Sequence, residues 1–276
     1  MTKNPRKKLI ILKIGGSVIT YKNRTGTFLR RKTIARIAQE ISQVTRKDTN
    51  LRLIIIHGAG SSGHQLAQRY NLAEGIGNDK KKWRGAILTR IANQKLNLAL
   101  FEIFSNANLQ IIPIHTASIV VQKNKTIDAF ATDTIDQALQ NNCIPLLYGE
   151  LVFDTELGMS ICSGDTSAFF LAKKYDAEQV LFASDIDGIF DKDPHRYKDA
   201  RMIQTTKLSD LLENKNIALE GSHSVDVTGG LANKISELAR QGFPKSLKKV
   251  VVFNGLKSGI FENALSGLAE GTIIEI

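Results

Sequence analysis

Short, nearly continuous apolar runs alternate along this chain with longer stretches whose apolar residues recur every three or four positions. The runs "KLIILKIGGS", "LRLIIIHGAG", "LQIIPIH", "IPLLYGELVF", "QVLFASD" and "KKVVVFNG" predict strands, rich in Ile, Val and Leu as strands buried on both faces are. Between them "RKTIARIAQEISQVT", "HQLAQRY", "WRGAILTRIANQKLNLALFEIFSN", "TIDQALQNN", "DTSAFFLAKKY" and "LANKISELARQG" carry the helical period. Strands alternating with helices predict a parallel sheet covered on both faces. No repeat, low-complexity tract or linker interrupts the pattern. A weak boundary lies near "KKYDAEQ", and "DKDPHRYKDARMIQ" predicts a surface excursion.

The 276 residues are enough for one large α/β domain or two closely joined lobes. Two cysteines, Cys143 and Cys162, give no disulfide framework or metal cluster, so a reducing cytoplasm is the expected location. The basic N-terminal stretch leads into an apolar run too short for a signal peptide and broken by Lys13. No run of about 18 apolar residues occurs, so no membrane span is expected. The net charge of +10 suits small anions as well as nucleic acid or acidic lipid. Its densest clusters, "NPRKK" and "NDKKKWR", lack the interleaved aromatics of a base-stacking platform, which argues against nucleic acid.

Ligands of open α/β sheets collect at the carboxyl ends of the strands, and the unusual residues fall there. Gly15, Gly16 and Ser17 follow Lys13 at the end of the first run, and His57 to His64 close the second. Ser163-Gly164-Asp165 precedes a helix, Asp185 and Asp187 follow "QVLFAS", and Thr228-Gly229-Gly230 precede the helix carrying Lys234. Glycines let a backbone approach an anion closely, and the N–H groups of a helix N-terminus then point at it. The turn "GAGSSGH" fits the letters of a dinucleotide fingerprint, but no second strand ends in an acidic residue some 20 positions on. It also begins as a P-loop does, but His64 and Gln65 stand where lysine and a hydroxyl are needed.

Phosphoryl transfer needs cations around the transferring group, and Lys13, Lys22 and Lys234 are the candidates. Lys13 sits between Leu12 and Ile14 in a buried-type strand, where an unpaired ammonium is costly. Asp165 is a good N-cap by residue type. Histidine donates to phosphate oxygens, and His64 stands at the end of the glycine turn, so it is read as the acceptor's ligand. His57, His115, His195 and His223 are read as structural.

Taken in order, "LKIGGS", "IIIHGAGSSGH", "SGD", "ASDIDGIFD", "VDVTGGLANKI" and "VVFNG…EGTII" resemble the amino acid kinase superfamily, and within it the chain is similar to the isopentenyl phosphate kinases. The resemblance implies an αβα sandwich with a mainly parallel central sheet. Residues 1–178 would form the acceptor lobe and 179–276 the nucleotide lobe of one kinase domain, usually a homodimer. It implies transfer of the ATP γ-phosphate to isopentenyl monophosphate, with Mg²⁺ carried by the nucleotide. Lys13 and Lys22 would stabilise the transferring group, and Gly15, Gly16 and Ser17 would line the phosphates. Gly58, Ala59, Gly63 and Gly164 would face the acceptor phosphate, with His64 gripping it. Asp185, Gly229 and Lys234 would serve the nucleotide.

The family's loop commonly reads "HGGGSFGH"; here Ala59 replaces a glycine that tolerates positive φ, and Ser62 replaces a bulkier residue beside His64. Both departures bear on the acceptor's identity rather than on the reaction. The helix from Trp83 to Phe104 would offer an apolar wall to a prenyl tail, although apolar residues at helical spacing are more often plain core. A compact polar acceptor such as fosfomycin would need more hydrogen-bonding groups there. A non-catalytic nucleotide- or RNA-binding protein is the reading from another class.

Overall fold

The computed structural model describes residues 8–21, 26, 28–192, 194, 197–213, 246–268 and 270–276. Lys22, Gly229 and Lys234 lie outside the described residues, as do Thr228, Gly230, His195, His223 and the helix expected in "LANKISELARQG".

The first half supplies β1 (Lys8–Ile14), α1 (Gly16–Ile19), α2 (Arg31–Lys47), β2 (Leu51–His57), α3 (Gly60–Arg69), α4 (Lys80–Asn106), β3 (Ile111–Pro113), β4 (Val120–Lys123), β5 (Thr126–Phe130) and α5 (Asp133–Gln140). There follow β6 (Ile144–Tyr148), β7 (Glu150–Asp154), β8 (Gly158–Cys162), α6 (Gly164–Tyr175), β9 (Gln179–Ser184), β10 (Ile189–Phe190), β11 (Met202–Ile203), β12 (Thr205–Lys207) and α7 (Leu208–Glu213). After the undescribed stretch come β13 (Lys249–Asn254), α8 (Ile260–Leu265) and β14 (Thr272–Glu275).

The expected parallel sheet is present. Among the described residues eight strands run in the order β12-β14-β13-β9-β1-β2-β6-β3, and of their pairings only β13–β14 is antiparallel. Alternation along each strand sorts the core into two layers. Ile10, Leu12, Ile14, Leu53 and Ile55 face α2, α4 and α8, where they meet Ile37, Leu100 and Phe261. Leu9, Ile11, Ile54 and Ile56 face the other way, against Ile135 of α5 and Phe169 and Leu171 of α6. The result is a three-layer αβα sandwich whose centre is the β1–β9 pair. Among the described residues no helix is long and apolar enough to cross a membrane.

Several elements differ from the sequence reading. "IPLLYGELVF" is two strands: β6 ends at Tyr148, Gly149 breaks the run, and β7 joins a separate four-stranded sheet, β5-β4-β7-β8. A side chain on Gly149 would stand 2.8 Å from the Gly164 nitrogen, so the break occurs where the start of α6 crosses the strand end. Helix α3 begins at Gly60, ahead of the histidine expected to open it. Part of "DKDPHRYKDARMIQ" returns as β11, paired antiparallel with β10.

Candidate active site

Strand parity decides which side chains meet at the carboxyl edge of the sheet. Lys13 has the parity of Leu9 and Ile11, so it points toward α6. Its Nζ lies 2.8 Å from Asp165 Oδ1 in the first turn of that helix, and the two side chains are 17% and 5% exposed. Its cross-strand neighbours are Ile56 and Phe182, and the ammonium lies 6.0 Å from the Phe182 ring centroid. A nearly buried cation held by one carboxylate keeps a fixed place while its remaining N–H bonds can serve an anion. Asp165 is therefore the counter-ion of Lys13 and not the helix cap read from its type. The cap is Ser163, whose Oγ accepts from the Thr166 N–H at 3.0 Å.

Beside this pair the first two strand-end turns pack backbone to backbone. Gly58 N–H donates to Ile14 O at 2.9 Å, and Gly15 N–H donates to Ala183 O at 2.8 Å, so β1, β2 and β9 end in register. A Cβ on Gly58 would lie 2.7 Å from the Gly16 nitrogen and 3.2 Å from the Gly16 Cα, main-chain atoms that cannot swing aside. We expect Gly58→Ala to destabilise the fold by about 1–3 kcal/mol, the usual range for overpacking. Urea denaturation tests this, and an unchanged midpoint would show that the two turns are free to part.

Gly60 carries φ +67°, whereas Ala59 lies at φ −64° in ordinary helical conformation. The position that demands glycine is thus Gly60, and alanine at 59 strains nothing. Thr20 stitches the turns together: its Oγ1 donates to Gly16 O at 2.8 Å and accepts from Ser61 N–H at 3.0 Å. Ser61 Oγ donates to Gly26 O at 3.0 Å and Gln65 Oε1 accepts from Gly26 N–H at 3.4 Å, which holds Gly26, between α1 and α2, against α3. Gln65, the residue that broke the P-loop pattern, is a loop anchor.

On the β9 side, Ser17 Oγ donates to Asp185 Oδ1 at 2.9 Å. Asp187 accepts from Asn254 Nδ2 at 2.9 Å and pairs with Lys257 Nζ at 3.0 Å; these contacts hold its carboxyl below the usual range. Gly164, the first residue of α6, abuts the end of β2: a Cβ on it would lie 3.4 Å from His57 O. Gly63 lies in the first turn of α3 and His64 is exposed immediately after it.

Thus Lys13, Gly15, Gly16, Ser17, Gly58, Ala59, Gly63, His64, Gly164 and Asp185 stand at adjacent strand and helix ends. Lys22, Gly229 and Lys234 have no described position. Sequence reasoning missed Thr20, Ser61 and the pairing role of Asp165. The parity of Lys13, opposite to Leu12 and Ile14, was the signal for the last of these.

A family model for amino acid kinases matches residues 8–254. The chain belongs to the amino acid kinase family. Among relatives of this family, it is 30% identical over 276 residues to isopentenyl phosphate kinase of Methanocaldococcus jannaschii, covering 97% of this chain and 98% of that one. It is 30% identical over 267 residues to the enzyme of the same name from Methanothermobacter thermautotrophicus, covering 94% and 96%. A solved isopentenyl phosphate kinase superposes with a TM-score of 0.80 at 27% identity, covering 96% of this chain and 99% of the other.

Proposed function

We propose that this chain transfers the γ-phosphoryl group of ATP to a phosphate oxygen of isopentenyl monophosphate, giving isopentenyl diphosphate and ADP in isoprenoid biosynthesis. The observation that carries the reading is the Lys13–Asp165 pair at the junction of two glycine turns and a helix N-terminus. That arrangement suits two phosphates brought end to end. The similarity to isopentenyl phosphate kinases over nearly the whole chain names the acceptor.

In this reading no covalent enzyme intermediate forms. A phosphate oxygen of the acceptor attacks the γ-phosphorus, the bond to the β,γ-bridging oxygen breaks, and ADP leaves with that bond's electrons. Lys13, with Lys22, balances the charge spread over the transferring oxygens. Gly15, Gly16 and Ser17 line the donor phosphates. Ala59, Gly63 and Gly164 present N–H groups to the acceptor phosphate, which His64 grips, while Gly58, whose own N–H is tied to Ile14 O, shapes the turn that carries them. Asp185, Gly229 and Lys234 serve the nucleotide, so residues 1–178 act as the acceptor lobe and 179–276 as the nucleotide lobe. Asp165, Asp185 and Asp187 are each engaged by a protein cation or hydroxyl, so Mg²⁺ is read as arriving on ATP, where it neutralises phosphate charge.

The tail has an apolar wall. Leu72, Ile76, Ala86, Leu151 and Met159 form a cluster with Trp83 against it. Leu151 and Phe153 face Ile161 and Met159 across β7 and β8, and β8 runs directly into Ser163-Gly164. Phe153 and Ile161 remain exposed at 53% and 38%. A hydrocarbon suits these residues better than a compact polar acceptor such as fosfomycin does. Leu96, Leu100 and Phe104 of α4 are central core, the commoner role of such residues, which leaves the stretch near Trp83 for the tail.

We also read the chain as a cytoplasmic homodimer. Exposed Ile112 on the edge strand β3, with Ile91 and Leu98 exposed on neighbouring α4, offers the apolar surface. Incubation with ATP and isopentenyl monophosphate should replace the acceptor's single ³¹P resonance with the coupled pair of a diphosphate. Release of inorganic phosphate with no diphosphate would contradict the transfer.

A further inference from the structure

Beneath the glycine turn lies a buried polar group that the reaction does not use. His57 ends β2 with the parity of Ile55, so its ring points toward α4, away from Lys13. It is fully buried. Its Nδ1 lies 2.9 Å from Gly58 O and its Nε2 lies 3.1 Å from the side-chain oxygen position of Asn97, which is 2% exposed. On its other side the ring stacks on Tyr148, its register neighbour on β6, at 5.2 Å between centroids and 15° between planes.

We propose that His57 and Asn97 are positioning residues for the acceptor-phosphate cradle: Asn97 holds the buried imidazole with Nδ1–H on the Gly58 carbonyl, and this aims the next N–H, that of Ala59, into the cleft. The inference rests on the reading of Gly58, Ala59 and His64 as the acceptor site. A trans peptide points its C=O and N–H in opposite directions within one plane. A carbonyl tied down toward α4 therefore turns the Ala59 N–H toward the other side, where the strand ends open. Without that tie, the Gly58–Ala59 plane is free to rotate.

The protonation state follows from the burial. Two acceptors, one at each ring nitrogen, would call for an imidazolium. Burial pushes the His57 pKa down to about 4, so near neutral pH the ring is uncharged and carries one proton. With that proton on Nδ1, the lone pair at Nε2 needs a donor. The Asn97 carboxamide supplies one when its nitrogen faces the ring, an exchange of its two ends that leaves its shape unchanged. Burial keeps the ring neutral, while its contacts with Gly58 and Asn97 pull the pKa the other way. Tyr148 is held above its ordinary range by burial and by Glu150. The Tyr148 hydroxyl lies 2.7 Å from His115 Nδ1, and Glu150 is paired with Arg90 at 3.2 Å.

The tautomer is read directly from long-range ¹H–¹⁵N correlation of the full chain labelled with ¹⁵N-histidine. The expected result is one histidine that stays neutral and Nδ1-protonated from pH 5.5 to 8. An Nε2–H tautomer, or titration within that range, overturns the proposal whatever the protein's activity. The kinetic arm uses Asn97→Leu and Asn97→Asp. Asn97→Leu should raise KM for isopentenyl monophosphate tenfold or more while KM for ATP changes less than twofold. Equal changes in both, or in neither, would mark Asn97 as packing alone.

Asn97→Asp gives a second signature. Its carboxylate raises the His57 pKa, so at low pH the ring is doubly protonated and keeps its Nδ1–H. As pH rises through that pKa, the remaining proton moves to the Nε2 side and Gly58 O loses its donor. The variant-to-wild-type ratio of acceptor KM should therefore climb with pH, and a flat ratio contradicts the arrangement. If wild-type protein does not turn over isopentenyl monophosphate at all, the functional reading fails, while the tautomer measurement still stands or falls alone.

Discussion

Lys13→Met should lower turnover by roughly 10²–10³, the scale of losing one group that stabilises the transition state. The same change should destabilise the fold, because it removes the ammonium paired with the buried Asp165 carboxylate. Breaking a buried pair costs about 3–5 kcal/mol, and the 17% exposure of Lys13 places this one toward the lower end. The two effects separate in a double variant. Lys13→Met with Asp165→Asn removes both charges of the pair, so thermal stability should recover while turnover stays low. Recovery of turnover in the double variant would show that Lys13 serves only to neutralise Asp165.

His64→Ala should cut turnover by roughly 10² or more, again the scale of one lost donor, with ATP binding nearly intact. His64 is exposed on α3, past the buried Gly63, so its removal leaves no cavity in the core. Thermal stability should then stay within about 0.5 kcal/mol of wild type, as for other surface changes. Steady-state kinetics with both substrates varied checks the split. Near wild-type turnover would remove His64 from the acceptor site.

Much of the sandwich was legible because its central strands are buried on both faces and read as unbroken apolar runs. β1, β2, β9 and β13 match the runs that predicted them, and α2 and α4 follow their helical period closely. The second sheet was not legible. β5 is mostly exposed, so it carries no apolar run, and β4 and β5 turn through Asn124 and Lys125, both at positive φ, without a glycine to signal a hairpin. The break at Gly149 was hidden because apolar runs lie on both sides of Gly149-Glu150, and the crossing of α6 decides it.

At the site, residue type located the glycine turns and Lys13, since few other roles place a lysine in such a strand. Partners remote in sequence were harder. Asp165 and Asn97 each sit in an ordinary helical pattern, and their meaning comes from the strand side chain that parity brings to them. Ala59 was read as a backbone problem because the motif was aligned by letters, while the left-handed residue is its neighbour Gly60.

The most direct test of the central claim is ADP release by the purified protein with ATP and Mg²⁺, comparing isopentenyl monophosphate, dimethylallyl monophosphate, fosfomycin and no acceptor. The account predicts strong turnover on the prenyl monophosphates, and little on fosfomycin or without acceptor. Turnover on fosfomycin alone, or equal ADP release in every arm, would contradict a phosphate cradle backed by an apolar wall.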